Sequence, residues 1–148
     1  MTTKSTLRRR ELTIRSVAGD AALSFSEPLP DDPSHPVSSF VAALEFTETF
    51  VSLRASTRIA VHDAEELVAF FRALARDAHG FVGERVWFAR ERELVLRADH
   101  DGSPRMVLTV VMHPEYDPPP FTAEYKLRLP VAGLARLASD LARFVRAE

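Results

Sequence analysis

The strongest constraint on the fold is a pair of alternating apolar runs on either side of a short turn. The turn is DGSPR, residues 101–105, which is rich in typical turn residues. Because side chains alternate between the two faces of a strand, matched alternation sets the register of a hairpin. Pairing Leu96 with Val110 predicts a hairpin over 93–113 with one wholly apolar face. That face consists of Leu94, Leu96, Ala98, Leu108, Val110 and Met112.

The opposite face of this hairpin mixes branched apolar side chains with polar ones. Two helices can cover only one side of a sheet of this size. We expect them to pack on the leucine and methionine face, because it is wholly apolar. A cluster of exposed apolar side chains often marks an interface. We therefore predict that this face binds another protein or a second copy of the chain, unless the N-terminal segment covers it. The predicted binding residues are Val95, Arg97, Val107, Thr109 and Val111.

Similar alternation predicts more strands around this hairpin. Two short alternating stretches lie near Leu12 and Leu23, before a loop with four prolines at 27–36. The later alternating stretches are 40–46, 50–59, 84–90 and 121–129. The segment 1–36 is therefore either stranded or irregular and loosely packed.

Two stretches instead show helical spacing. Asp63 caps the first, and Gly80 is placed for a left-handed C-terminal cap. The second follows Pro130. Their apolar stripes are Leu67, Phe70, Phe71, Leu74 and Ala78, and Leu134, Leu137, Ala138, Leu141, Phe144 and Val145. This order predicts an α+β fold, a mainly antiparallel sheet with two helices packed on one face, in a single domain over 1–148.

Composition narrows the function classes. The formal net charge is -2, which gives no general attraction to nucleic acid or to an anionic membrane. The chain has no cysteine, and no apolar run is long enough to span a bilayer. We therefore expect a cytoplasmic protein that binds neither nucleic acid nor membrane.

The sequence DHD at 99–101 is the most tempting candidate for chemistry, because carboxylates and imidazole bind metals and move protons. Consecutive strand residues point in opposite directions, however, and a metal needs ligands from elsewhere as well. We interpret Asp99 and His100 as the end of a strand and Asp101 as the start of a turn. The sequence therefore predicts no catalytic residue, no metal and no cofactor.

A pocket for a small apolar ligand is the alternative to protein binding. A sheet that curls around the C-terminal helix would leave such a pocket, lined by Trp87, Phe88, Phe121 and Tyr125. The turn RERE at 90–93 allows more than one loop length. Whether Trp87 or Phe88 faces the core therefore stays open.

Three segments together form a pattern that is typical of one protein family. They are HGFVGERVW at 79–87, LVLRADHDG at 94–102 and GLARLASDLARFV at 133–145. Together they resemble a family of small actinobacterial proteins that is a domain of unknown function. His79 departs from the pattern, which has a tryptophan before Gly80. The resemblance implies a compact α+β domain and no particular reaction. This architecture is also similar to that of small immunity proteins, which favours an inhibitor or an accessory factor.

Overall fold

The strands form two four-stranded antiparallel sheets, and in each sheet the strands are adjacent in chain order. The structure is a computed structural model that describes residues 11–30, 34–113 and 122–146. The first sheet contains β1 (Glu11–Arg15), β2 (Ala21–Leu29), β3 (Ser39–Glu48) and β4 (Val51–Ala60). The second sheet contains β5 (Arg85–Phe88), β6 (Leu94–Asp99), β7 (Arg105–Met112) and β8 (Ala123–Pro130). The predicted α+β class with antiparallel strands is therefore confirmed, although the strands form two sheets where the sequence predicted one.

One helix follows each sheet. Helix α1 (Ala64–Arg76) begins at Asp63, whose carboxylate accepts a 2.9 Å hydrogen bond from the Glu65 N–H. Helix α2 (Leu134–Arg146) follows a short 3-10 turn at Val131–Gly133. The chain thus runs twice through the same order, a four-stranded meander and then a helix of 13 residues. No helix in the described ranges is long and apolar enough to cross a membrane.

The two sheets are joined by backbone hydrogen bonds at two equivalent places. Just after β1, the Val17 N–H donates to the carbonyl of Arg128 in β8, at 2.7 Å. Just after β5, the Arg90 N–H donates to the carbonyl of Ala60 in β4, at 2.8 Å. Each sheet therefore uses the end of its first strand to hold the last strand of the other.

A single hydrophobic core contains both helices and the inner faces of both sheets. Phe144 of α2 packs against Phe25 and Phe40 of the first sheet, with ring centroids 6.3 and 5.6 Å apart. Helix α1 lies beside β5 of the second sheet. Both predicted stripes supply core residues, and Leu67, Leu74 and Leu141 are fully buried. The helix of each half thus packs beside the sheet of the other half.

Two local predictions at the ends of elements are wrong. Helix α1 ends at Arg76 with Asp77 as its C-cap, so Ala78 lies beyond the helix and Gly80 does not cap it. The proline segment 27–36 is not wholly loop, because β2 continues to Leu29. Its pairing with β3 shifts between Ser26 and Leu29, and such an irregularity is where a strand accommodates a proline.

The described part of the N-terminal segment forms strands that pack in the core. In its described part, β1 and β2 place Leu12, Ile14, Leu23 and Phe25 in the core. An irregular, loosely packed segment is therefore the wrong alternative for 11–30. Residues 1–10, 31–33 and 114–121, including Phe121, lie outside the described residues.

Candidate functional site

The hairpin of β6 and β7 has the predicted register, with Leu96 opposite Val110. All six residues of its predicted apolar face are fully buried. The predicted binding residues lie together on the other face, which we call the outer face of the second sheet. Val95, Arg97 and Val107 are half-buried there, whereas Thr109 is only 3% and Val111 only 7% exposed. Two of the five residues are therefore less accessible than an exposed cluster requires.

Strand β5 extends this outer face with two exposed apolar side chains. Sequence reasoning missed Val86 and left the orientation of Phe88 open. Phe88 pairs with Val95, which pairs with Val111, so three apolar residues form a row across three strands. Phe88 is 43% exposed and Val86, two residues earlier, is 49% exposed. The alternation of 84–90 predicted the strand. Which of its side chains face the core depends on the length of the RERE loop. In the structure, Trp87 faces the core and Phe88 faces outward.

The corresponding face of the first sheet differs sharply in chemistry. Where the second sheet carries aromatic and branched side chains, the first carries mostly polar, charged and small ones, with Val41 as a branched exception. Its outward residues include Glu11, Thr13, Arg15, Ala22, Ser24, Ser26, Ala43, Glu45, Arg54 and Arg58. Because the two sheets have the same topology, this contrast is a property of the side chains and not of the architecture.

Charged side chains lie beside the apolar row and at its end on β8. Arg97 lies between Glu84 and Glu124, and each of the two nearest nitrogen–oxygen distances is 3.8 Å. Both pairs are partly exposed, so each contributes little to stability. Arg92 places its guanidinium 4.5 Å from the centre of the Phe88 ring. The outer face therefore combines an apolar strip with charges of both signs.

The DHD sequence forms a turn and not a convergent cluster. Asp99 points outward from β6, whereas His100 is only 4% exposed. The His100 Nε2 atom lies 3.0 Å from the Ser103 carbonyl, and Asp101 accepts a hydrogen bond from the Ser103 N–H. That hydrogen bond is the main cause that lowers the pKa of the Asp101 carboxyl. These contacts give two of the three side chains a role inside the turn.

The turn at 100–102 also packs directly against the segment that contains Gly80. The Phe81 N–H donates to the His100 carbonyl at 3.1 Å, and the Phe81 ring meets the His100 ring edge to face. Arg85 covers the other side of this group, 4.1 Å from the centre of the Phe81 ring, and pairs with Asp77. Two of the three segments that carry the family pattern, 79–87 and 94–102, thus meet in one structural cluster. An open cleft of about 590 Å³ lies beside it, and its lining includes Asp99, His100, Asp101, Arg105 and Arg128.

The residues predicted to line a ligand pocket do not meet against the C-terminal helix. Trp87 and Phe88 line an open groove of about 640 Å³ against α1 instead. Tyr125 lies on β8, where its hydroxyl donates to Asp20 and its ring stacks on Phe46. The predicted pocket between the sheet and the C-terminal helix is therefore wrong for the three described residues.

The fold and this site define a class of small α+β domain, built from two meander-and-helix halves, in which one of the two outer faces carries an apolar strip. The chain belongs to a family of unknown function, DUF6228, whose family model matches residues 14–148. No curated protein and no solved structure matches the chain.

Proposed function

We propose that this chain is a non-enzymatic domain that binds another protein through the outer face of its second sheet. The observation that carries the proposal is the contrast between the two outer faces. One topology is used twice, yet Val86, Phe88 and Val95 occupy positions whose counterparts on the first sheet are polar or small. Exposed apolar clusters with a polar rim are typical of protein interfaces.

The chemistry of the DHD turn also favours binding over catalysis. His100 is buried and directed at the Ser103 carbonyl, and Asp101 is engaged by the same turn. A general acid or base must reach its substrate, and His100, which is only 4% exposed, is poorly placed to do so. An immunity-type inhibitor or accessory factor of an actinobacterial cytoplasm is the role that we propose for such a domain.

Site-specific photo-crosslinking tests this proposal. A photoreactive phenylalanine analogue at Phe88, in the full chain expressed in its native host, should crosslink to one partner protein. The same analogue at Thr13, on the outer face of the first sheet, is the matched control and should give no such product. Equal crosslinking from both faces, or none from Phe88, would contradict the proposal.

A pair of lysine substitutions provides the second arm of the test. Val95→Lys places a charge in the apolar row, whereas Ser24→Lys places it on the second strand of the first sheet. We expect Val95→Lys to abolish binding of the crosslinked partner and Ser24→Lys to leave it unchanged. Size-exclusion chromatography with light scattering would reveal a second copy of the chain as the partner.

A further inference from the structure

Strand β5 lies at the edge of the second sheet, beside the groove that separates it from α1. Within the described residues, β5 pairs with β6 alone. The groove has a volume of about 640 Å³ and opens to solvent. Its lining residues are His62, Glu66, Ala69, Phe70, Val86, Trp87 and Phe88. An open strand edge thus faces a mostly apolar helix surface.

The main-chain groups of β5 alternate between the two sides of the strand. The Ala89 N–H donates to the Leu94 carbonyl at 2.9 Å, so the odd-numbered residues bond to β6. In an antiparallel ladder the residues between them point their N–H and C=O groups the other way. Val86 and Phe88 therefore direct these groups toward the groove. Arg90 follows the same alternation, since its N–H donates outward to the Ala60 carbonyl.

This outward bond to Ala60 closes one end of the groove. Before Arg90, the outward N–H and C=O groups of Val86 and Phe88 have no partner among the described residues. A free row of donors and acceptors on a strand edge is a template for another strand. The four residues of β5 offer such a strand a length of about 13 Å.

The equivalent groove in the other half of the fold is not suited to a peptide. It lies between β1 and α2 and is lined by Glu11, Thr13, Arg136 and other side chains. Asp140 pairs there with Arg136 at 3.8 Å and also with Arg143. Charged side chains that already pair with one another line this groove, whereas Phe70, Trp87 and Phe88 line the one beside β5. Of the two grooves, the one beside β5 is therefore the more apolar.

We propose that the groove between β5 and α1 binds an extended peptide segment of a partner protein, which adds to β5 as a further strand. The proposal rests on the proposed protein-binding function and names the kind of partner. Main-chain hydrogen bonds to Val86 and Phe88 hold the segment, and alternate apolar side chains pack against Phe70 and Trp87. Glu66 is the charged carboxylate among the described lining residues, which favours a lysine or arginine in the segment.

The test uses the full chain and a random-peptide phage library as the probe. Selected peptides should share alternating apolar residues, and their binding should change the fluorescence of Trp87, the chain's one tryptophan. Each selected peptide is then N-methylated at one position at a time. Methylation at alternate positions should weaken binding about tenfold, because it removes a donor to β5, while the positions between should have little effect.

A proline substitution tests the main chain of β5 itself. Val86→Pro removes an N–H that points into the groove, a change that edge strands tolerate. We expect it to weaken peptide binding about tenfold, whereas the matched control Val86→Thr keeps the N–H and stays near wild type. Melting curves of both variants establish that they fold. Should Val86→Pro not fold, the N-methylation pattern alone decides the outcome.

Three outcomes of the peptide experiments would overturn the inference. The library yields no peptide, or N-methylation shows no alternation, or Val86→Pro folds and binds normally. If the partner crosslinked from Phe88 is lost with Val95→Lys but kept with Val86→Pro, the protein-binding function stands and strand addition fails. If light scattering shows a dimer that Val86→Pro converts to monomer, the occupant is a second copy and not a partner peptide.

Discussion

The Tyr125 hydroxyl donates a 2.8 Å hydrogen bond to Oδ2 of Asp20 and so joins β8 to the turn between β1 and β2. The Tyr125 ring stacks on Phe46 of β3, with ring centroids 4.5 Å apart. The hydrogen bond from Tyr125 is the main cause of the lowered pKa of Asp20, and Arg128 contributes in the same direction. It also raises the pKa of Tyr125. The contact therefore ties the two sheets together through an ionised carboxylate.

Tyr125→Phe should lower the melting temperature at neutral pH, because it removes this hydrogen bond and keeps the stacking on Phe46. The pKa of Asp20 is lowered in the folded state. Its contribution to stability is therefore present above the unfolded value, near 3.8, and is lost as the pH falls through the lower folded pKa. The melting gap between wild type and Tyr125→Phe should narrow in acid. Thermal melts across this pH range measure it, and a gap of constant size would contradict the prediction.

Gly80 lies so close to the backbone of Gly102 that its position does not accommodate a Cβ atom. A Cβ on Gly80 would lie 2.8 Å from the backbone nitrogen of Gly102, and the φ of Gly80 is +109°. Gly80→Ala should therefore cost the conformational penalty of about 1–2 kcal/mol and a steric penalty of about 1–3 kcal/mol. The control is Gly83→Ala, whose φ is +77° but whose Cβ would meet no atom within 4 Å. Equal denaturation midpoints for the two variants would show that the close approach is not rigid.

The hairpin of β6 and β7 was predictable because two independent patterns agree on it. Alternation on both strands and the turn residues between them allow one register that buries all six inner residues, and Leu96 opposite Val110 is that register. Trp87 and Phe88 were not predictable from the same kind of reasoning. Their orientation depends on the loop 89–93, where Glu93 bends back to accept hydrogen bonds from the N–H groups of Glu91 and Ala60. That contact with the other sheet leaves no trace in local sequence.

The repeated topology is hidden in the sequence for a related physical reason. Outward positions are not constrained by packing in the core. Ser24 on β2 and Val95 on β6 therefore differ in chemistry although both point outward from the second strand of a sheet. Inward positions need only to be apolar, and many residues meet that requirement. The groove beside β5 was beyond prediction as well, because α1 and β5 come together only in the tertiary structure.

Leu74→Ala and Leu141→Ala should each destabilise the fold by about 2–5 kcal/mol, since each empties a fully buried site in one helix. Leu53→Ala is the matched control, because that leucine is 53% exposed on β4 and should cost less than about 0.5 kcal/mol. Chemical denaturation of the three variants measures the differences. If the two helix variants unfold at the midpoint of the control, the assignment of the stripes to the core is mistaken.

Purified protein should contain no stoichiometric zinc, and a chelator should leave its melting temperature unchanged. The reason is that His100 is directed at the Ser103 carbonyl and Asp101 at the Ser103 N–H, while Asp99 points to the other face. In the described part of the chain, no three histidine or carboxylate side chains are grouped to hold a metal. Elemental analysis measures the content. One metal per chain that is lost with His100→Ala would contradict this prediction and favour an enzyme.

Trp87 and Phe88 are neighbours on β5 with opposite roles, and alanine substitution should separate them. Trp87 is 8% exposed and packs in the core, so Trp87→Ala should cost about 3–5 kcal/mol. Phe88 contacts Arg92 on the outer face and should cost about 1 kcal/mol or less when it is replaced by alanine. Denaturation curves give both values. The blue-shifted emission expected of a buried tryptophan should persist in Phe88→Ala, which shows that the core is intact. If Phe88→Ala instead destabilises the chain as much as Trp87→Ala, the outer face is covered within the monomer. In that case Phe88 and its apolar neighbours on the outer face are not free to bind a partner, and the proposed function loses the observation that carries it.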